Sequence, residues 1–357
     1  MRRSREVKVQ LSDANHAATE CLGSARASRA ECGAHAGMVL NQKFATPKAF
    51  GVATRRGACA PRSVAVALAL FFAAMSISAE ETKFDWFKPF SSLSGEYSAE
   101  ETYVSDAAVR RSNRVVRDFD ENDVILRLVL TPRVKIGVLR LGLEWEHFSF
   151  EFPEGTPLPN TLQEISAIIG LDMQLSDSIL LRVEAQPGFY GTNNFNSEQV
   201  NMPFIVGGTY IYNPNLQFIV GVSVDVEREY PVIPAAGIRW KVSRQWVANA
   251  VLPTPRIEFA AAKNVTLYAG ANIKQTNFRV DDEFGDQHGN SRLNHAVVSY
   301  SELRVGPGID WKITSSVTLT AEAGYQPYRS FDFFRADVRY HEDGSAPYGM
   351  ISLHGAF

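Results

Sequence analysis

Charged side chains recur at every second position along several stretches of this chain. Arg140, Glu144 and Glu146 alternate with Leu139, Leu141, Leu143 and Trp145, and Arg182 and Glu184 alternate with Leu181, Val183 and Ala185. Asp225, Arg239, Lys241, Lys274, Arg304 and Glu322 stand in the same relation to their apolar neighbours. Side chains of an extended chain point alternately to opposite faces, so this spacing gathers charges of both signs on one face and strips them from the other. On the inside of a closed sheet such charges either pair across the interior and plug it, or line an aqueous path whose field selects solutes. The spacing alone leaves both open.

Covalent chemistry finds little support. His147, His288, His295, His341 and His354 form no HExxH or other close ligand pair, so they read as solvated loop or rim residues. Ser149 shares a face with His147, but that face is the apolar one, and no GxSxG elbow is present. The segment DDEFGD gathers Asp281, Asp282, Glu283 and Asp286 without the spacing of an EF-hand, which reads as a solvated acidic loop. Neither a catalytic centre, a cofactor site nor a metal site is expected.

The elements that must carry these residues are strands. Ile165 to Leu175, Ile179 to Ala185, Leu216 to Val226, Val265 to Ile273 and Val317 to Tyr325 all set apolar residues at every second position with small or polar ones between them. Runs of this length exceed an ordinary soluble strand and match a tilted strand crossing a bilayer, which needs about 9–11 residues. A soluble sandwich also alternates, but three features favour the membrane. Tight connections at 176–178, 212–215, 243–245, 262–264 and 314–316 alternate with longer ones at 191–199, 227–233, 280–295 and 329–347. Trp145, Phe189, Tyr210, Tyr212, Trp240, Trp311 and Tyr325 stand near strand ends, where a membrane barrel carries aromatic girdles. The chain closes on Phe357 with Leu353 and Ile351 on the same face, resembling the signal by which a barrel engages the assembly machinery.

The first 79 residues differ in kind. Arg55, Arg56 and Arg62 precede the apolar run Val64 to Met75, and Ala79 precedes Glu80-Glu81. A basic region, an apolar stretch and a small exit residue describe a secretory signal over 55–79, and the run is too short for a transmembrane helix, which needs about 20 residues. Residues 1–54 then read as a leader ahead of the signal, with Met38 an alternative start. Residues 1–79 hold 11 of the 36 Lys and Arg, 4 of the 39 Asp and Glu, and all 3 Cys. The remaining 278 residues are therefore cysteine-free with a net charge of −10, which removes disulfide and thiolate chemistry and a nucleic-acid partner.

Trp246 to Phe259 (WVANAVLPTPRIEF), Gly324 to Phe331 (GYQPYRSF) and Leu139 to Phe150 (LRLGLEWEHFSF) resemble the bacterial family called domain of unknown function 6268, over roughly 90–357. The resemblance implies an envelope β-barrel and no particular activity. The expectation is an all-β chain in which residues 80–357 form a transmembrane antiparallel up-and-down barrel of about 12 to 14 strands in the outer membrane, in contact with its lipid. A passive pore for small hydrophilic solutes is the functional expectation; a non-conducting barrel acting through its outer loops is the alternative. Residues 81–120, acidic and punctuated by arginine, read as a first hairpin loop or an internal plug.

Overall fold

A computed structural model describes residues 94–193 and 195–357. The expected leader over 1–54 and the expected signal over 55–79, together with residues 80–93, lie outside the described residues. Fourteen strands run up and down in chain order: β1 (Gly95–Arg111), β2 (Arg114–Leu130), β3 (Gly137–Phe150), β4 (Thr161–Ser176), β5 (Ile179–Ala185, continued by Gly188–Gly191), β6 (Val200–Asn201, continued by Phe204–Asn213) and β7 (Leu216–Val224). They continue through β8 (Val232–Lys241), β9 (Trp246–Val251), β10 (Arg256–Ala262), β11 (Val265–Arg279), β12 (Val297–Lys312), β13 (Val317–Phe333) and β14 (Ala346–Ala356). Each strand pairs antiparallel with the next, and β1 also pairs with β14 from Glu96↔Ala356 to Val104↔Tyr348, which closes the sheet into a barrel.

The exterior is apolar and the interior charged. Leu143 and Val220 are each 61% exposed, whereas Glu164, Glu184, Glu302 and Arg304 are at most 2% exposed. A soluble sandwich buries its apolar face, so this inverted arrangement belongs to a transmembrane barrel. Exposed aromatics form two belts: Tyr210, Tyr212, Trp240, Trp246 and Trp311 near the short turns, and Tyr103, Phe189, Phe204, Tyr325 and Tyr328 towards the long loops. Among the described residues no helix is long and apolar enough to cross a membrane.

The turns at 177–178, 214–215, 242–245, 263–264 and 313–316 occupy one end together with both ends of the closed sheet. The opposite end carries the connections 151–160, 192–199, 225–231, 280–296 and 334–345. Two expectations need correction. The expected loop or plug over 81–120 is largely paired strand, because β1 and β2 stay paired up to Arg111↔Arg114. Residues 95–120 are thus wall rather than plug. The 329–347 connection is shorter than expected, since β13 runs to Phe333 and a further strand, Val338–Glu342, pairs with β13 and β1.

Two irregularities reset which residues face inward. In β1 the pairing shifts between Val104 and Val109 around Asp106, whose φ is +52°. In β13 it shifts near Pro327, so Gln326 and Arg329 are both buried although their parity differs. A bulge adds one residue to one strand and re-aims the side chains beyond it. The wall is also uneven. β9 and β10 have 6 and 7 residues against 17 in β1, β2 and β13, because Pro253 and Pro255 end both strands early by supplying no backbone donor. Above that low section the end of β11 turns to the end of β5, with Arg279 opposite Gly191 in parallel.

Candidate functional site

The charges expected on the inner face lie opposite the exposed apolar stripe, and most are buried. For the most buried of them, partners come from strands that are not neighbours. Lys274 of β11 donates to Asp123 Oδ2 of β2 at 2.9 Å and pairs with Glu146 of β3. Its ammonium also stands 4.4 Å from the centroid of the Phe148 ring. Arg304 of β12 reaches Asp123 at 3.1 Å and Thr102 Oγ1 of β1 at 2.5 Å, and pairs with Glu302 on its own strand. A buried ion costs several kcal/mol in lost solvation unless its partners are close and several. Convergence of two cations on Asp123 meets that cost and ties β11 and β12 to β2 and β3 across the interior.

Towards the short turns a second network forms on β1 to β5. Arg182 clasps Asp172 with two bonds, at 2.6 and 2.8 Å. Arg140 donates to Glu184 at 3.4 Å and lies 3.7 Å from Glu96 and 3.9 Å from Asp172. Glu144 is 3.6 Å from Arg127. The other expected residues stand apart from these clusters. Asp225 accepts from Asn201 at 2.9 Å and Asn277 at 2.8 Å, and Glu322 accepts from the Tyr268 and Tyr348 hydroxyls at 2.7 and 2.5 Å. The Arg239 Nε is buried without a hydrogen-bond partner, and Lys241 is exposed beside the 242–245 turn.

Above the networks the interior becomes hydrocarbon. Phe148, Phe150, Phe278, Tyr300 and Phe331 are all buried, with Phe148 edge-on to Tyr300 at 4.9 Å and Phe150 edge-on to Phe331 at 5.2 Å. These edge-to-face contacts are the favoured aromatic geometry. The Tyr300 hydroxyl donates to Glu121 at 2.8 Å, and Arg329 pairs with the same carboxylate, joining the aromatic layer to the charged one.

Asp123, Glu121, Glu302 and Arg329 are central to this arrangement yet absent from the expected set. Asp123 and Glu121 sit in the acidic stretch of β2, where apolar alternation is lost, and Arg329 lies past the β13 bulge. Glu302 alternates regularly, with Leu303 and Val305 across the face, and that pattern was sufficient to find it. The acidic loop is likewise tied to a histidine: His295 Nδ1 lies 2.8 Å from Asp282 Oδ1 and 3.1 Å from Glu198 Oε2.

Beyond the membrane, the Glu342 carboxyl is pushed up to about 7 because burial, aided by the nearby Glu121 charge, outweighs Arg329. A carboxyl raised above its ordinary 4.5 penalises the folded state once ionised. Stability should therefore fall as pH rises from about 4.5 towards 7 and level off above. Urea titrations of refolded Glu342→Gln across that range should show a flatter profile than those of the parent; parallel profiles would contradict this assignment.

A closed antiparallel barrel with an apolar exterior, two aromatic belts and a charged interior is a transmembrane β-barrel. Residues 130–340 match the family described as Domain of unknown function (DUF6268), and the chain belongs to that family. Among solved structures it is similar to a variant of the P. putida TodX monoaromatic hydrocarbon channel, with a TM-score of 0.43, 10% identity and coverage of 74% of this chain and 91% of the other. It is also similar to an outer membrane channel from P. putida F1, with a TM-score of 0.41, 8% identity, and 74% and 95% coverage. The corresponding values for the NanC porin are 0.36, 10%, and 72% and 98%. No curated protein matches in sequence.

Proposed function

We propose that this barrel resides in the bacterial outer membrane and passes small hydrophilic solutes along a narrow, off-centre path beside β6 to β10. One asymmetry carries this reading. Buried ion pairs and aromatic rings fill the inner face on β1 to β5 and on the long-loop halves of β11 to β13, while towards the short turns β11 to β13 carry the half-exposed Gly270, Gly306, Gly308 and Gly324. On β6 to β10 the inner positions include Gly207, Gly221, Ser223, Ala235, Gly237 and Ala260, which are small and keep partial exposure. Small side chains leave room, and retained exposure supports a water-filled space at their side of the interior.

In this reading Arg140, Glu144, Glu146, Arg182, Glu184 and Arg304 form the fixed, mutually neutralised wall of the path, and Glu322, held by the Tyr268 and Tyr348 hydroxyls, adds a carboxylate without a cation partner among the described residues. Lys274 and Asp225 border it. Arg239 and Lys241, which lack carboxylate partners among the described residues, give its short-turn mouth a positive field, and such a field biases which ions enter. The signal over 55–79 and terminal Phe357 supply export and recognition by the assembly machinery, and the two aromatic belts contact lipid headgroups. No covalent step is needed.

Planar-bilayer recordings of the refolded chain should show small, discrete conductance steps. A correctly folded but silent barrel would overturn the channel reading and favour a structural or adhesive barrel acting through 192–199 and 280–296. Recovery of the native protein from the periplasm without detergent would overturn the location.

A further inference from the structure

Among the long loops lies a cavity of about 420 Å³ whose chemistry differs from that of the barrel interior. It is bounded by the β1–β2 hairpin tip, the β3–β4 and β11–β12 connections and the Val338–Glu342 strand. Pro157, Leu293 and Tyr340 are buried and give it an apolar floor. Arg111, His288 and Asn290 stand around that floor, and none of the lining residues is acidic. In a chain whose residues 80–357 carry a net charge of −10, a concavity with a cation and no carboxylate is a selective feature.

Arg111 is the decisive residue. Its neighbours Arg110 and Arg117 both pair with Asp343, at 2.5 and 3.7 Å. Arg111 has no carboxylate partner among the described residues; its guanidinium carbon lies instead 5.9 Å from the Tyr340 ring centroid. A guanidinium held against a ring keeps its in-plane N–H groups available, and that fork matches a carboxylate with two parallel bonds. His288 adds a second requirement. Its Nδ1 lies 2.7 Å from the Phe284 carbonyl oxygen, which can only accept, so Nδ1 carries the proton. The other ring nitrogen of the neutral imidazole is then an acceptor, suited to a ligand hydroxyl, and the Asn290 amide offers both a donor and an acceptor.

We infer that this cavity binds a hydroxylated organic carboxylate, an acidic monosaccharide being a member of the class. Arg111 takes the carboxylate, and His288 and Asn290 take hydroxyls. Binding here requires the folded loops but not an open path, so its failure and the failure of the channel reading are separable.

The test is calorimetric titration of the full refolded chain with D-glucuronate, with glucose as the uncharged counterpart. Glucuronate should bind at least about tenfold more tightly than glucose, as expected where a charged hydrogen-bonding pair is lost. Arg111→Met should weaken glucuronate by a similar factor, while Arg110→Met, which alters an arginine already paired, should stay within about twofold. Each variant is checked for the heat-modifiable mobility of a folded barrel. Absence of glucuronate binding at millimolar concentration, equal binding of glucose, or unchanged affinity in folded Arg111→Met would each overturn the proposal.

Discussion

Replacing Lys274 by methionine will destabilise the folded barrel by about 3–5 kcal/mol, the range for removing one partner of a buried ion cluster. Methionine fills the volume but leaves Asp123 and Glu146 facing each other, both buried and without the cation that joins them. The remaining contact of Asp123 with Arg304 does not serve Glu146, which pairs with Lys274 alone among the described residues. Urea unfolding in detergent micelles measures the loss. The triple variant Lys274→Met, Asp123→Asn, Glu146→Gln removes all three charges together and should recover most of it, because the cost lies in uncompensated charge rather than in missing attraction. A single variant as stable as the parent would show that Lys274 is neutralised some other way and that the interior is wetter than its burial implies.

Gly207→Trp will abolish single-channel steps while Gly208→Trp preserves them. The two glycines are adjacent on β6 and so face opposite sides. A Cβ at Gly207 would meet nothing closer than the Val220 carbonyl oxygen at 3.6 Å, and one at Gly208 the Leu180 carbonyl oxygen at the same distance. Both positions thus accept a side chain without displacing backbone. The indole at 207 enters the proposed path, whereas at 208 it joins the lipid-facing surface, where tryptophan is well tolerated near the headgroups. Recordings at equal protein load, with folding checked by gel mobility, decide it. Equal conductance in both variants would place the path elsewhere.

Much of this architecture was legible because the physics that builds it is local. The face of a strand residue is fixed by parity, so Leu139 to Phe150 and Leu216 to Val226 announced both their extended form and their two environments. Turn residues such as Asp177 and Asn213-Pro-Asn215 marked one end of the barrel. Parity failed where the chain inserts a residue: the shift near Pro327 turned Arg329 inward against the pattern of Glu322 and Gly324. It also failed on the upper parts of β1 and β2, which stand above the membrane belt and carry no lipid-facing apolar run. The pairing of Lys274 with Asp123 depends on strands 151 residues apart meeting across the interior, and no spacing encodes that. One signal was present but unused: on the inner face of β3 the residues change from Arg140, Glu144 and Glu146 to Phe148 and Phe150, marking where the charged interior gives way to the aromatic layer.

The short β9 and β10 have a consequence for the surrounding bilayer. Six residues rise about 20 Å along a strand and less once tilted, whereas the apolar band of a membrane barrel is about 25 Å tall. Acyl chains beside Trp246 to Ala262 therefore meet a hydrophobic surface shorter than their own layer. Hydrophobic mismatch of this kind is relieved by local compression, at fractions of a kcal/mol per ångström. If the barrel inserts as proposed, the bilayer should thin on that flank only and draw shorter-tailed lipids to it, giving the molecule an asymmetric lipid annulus.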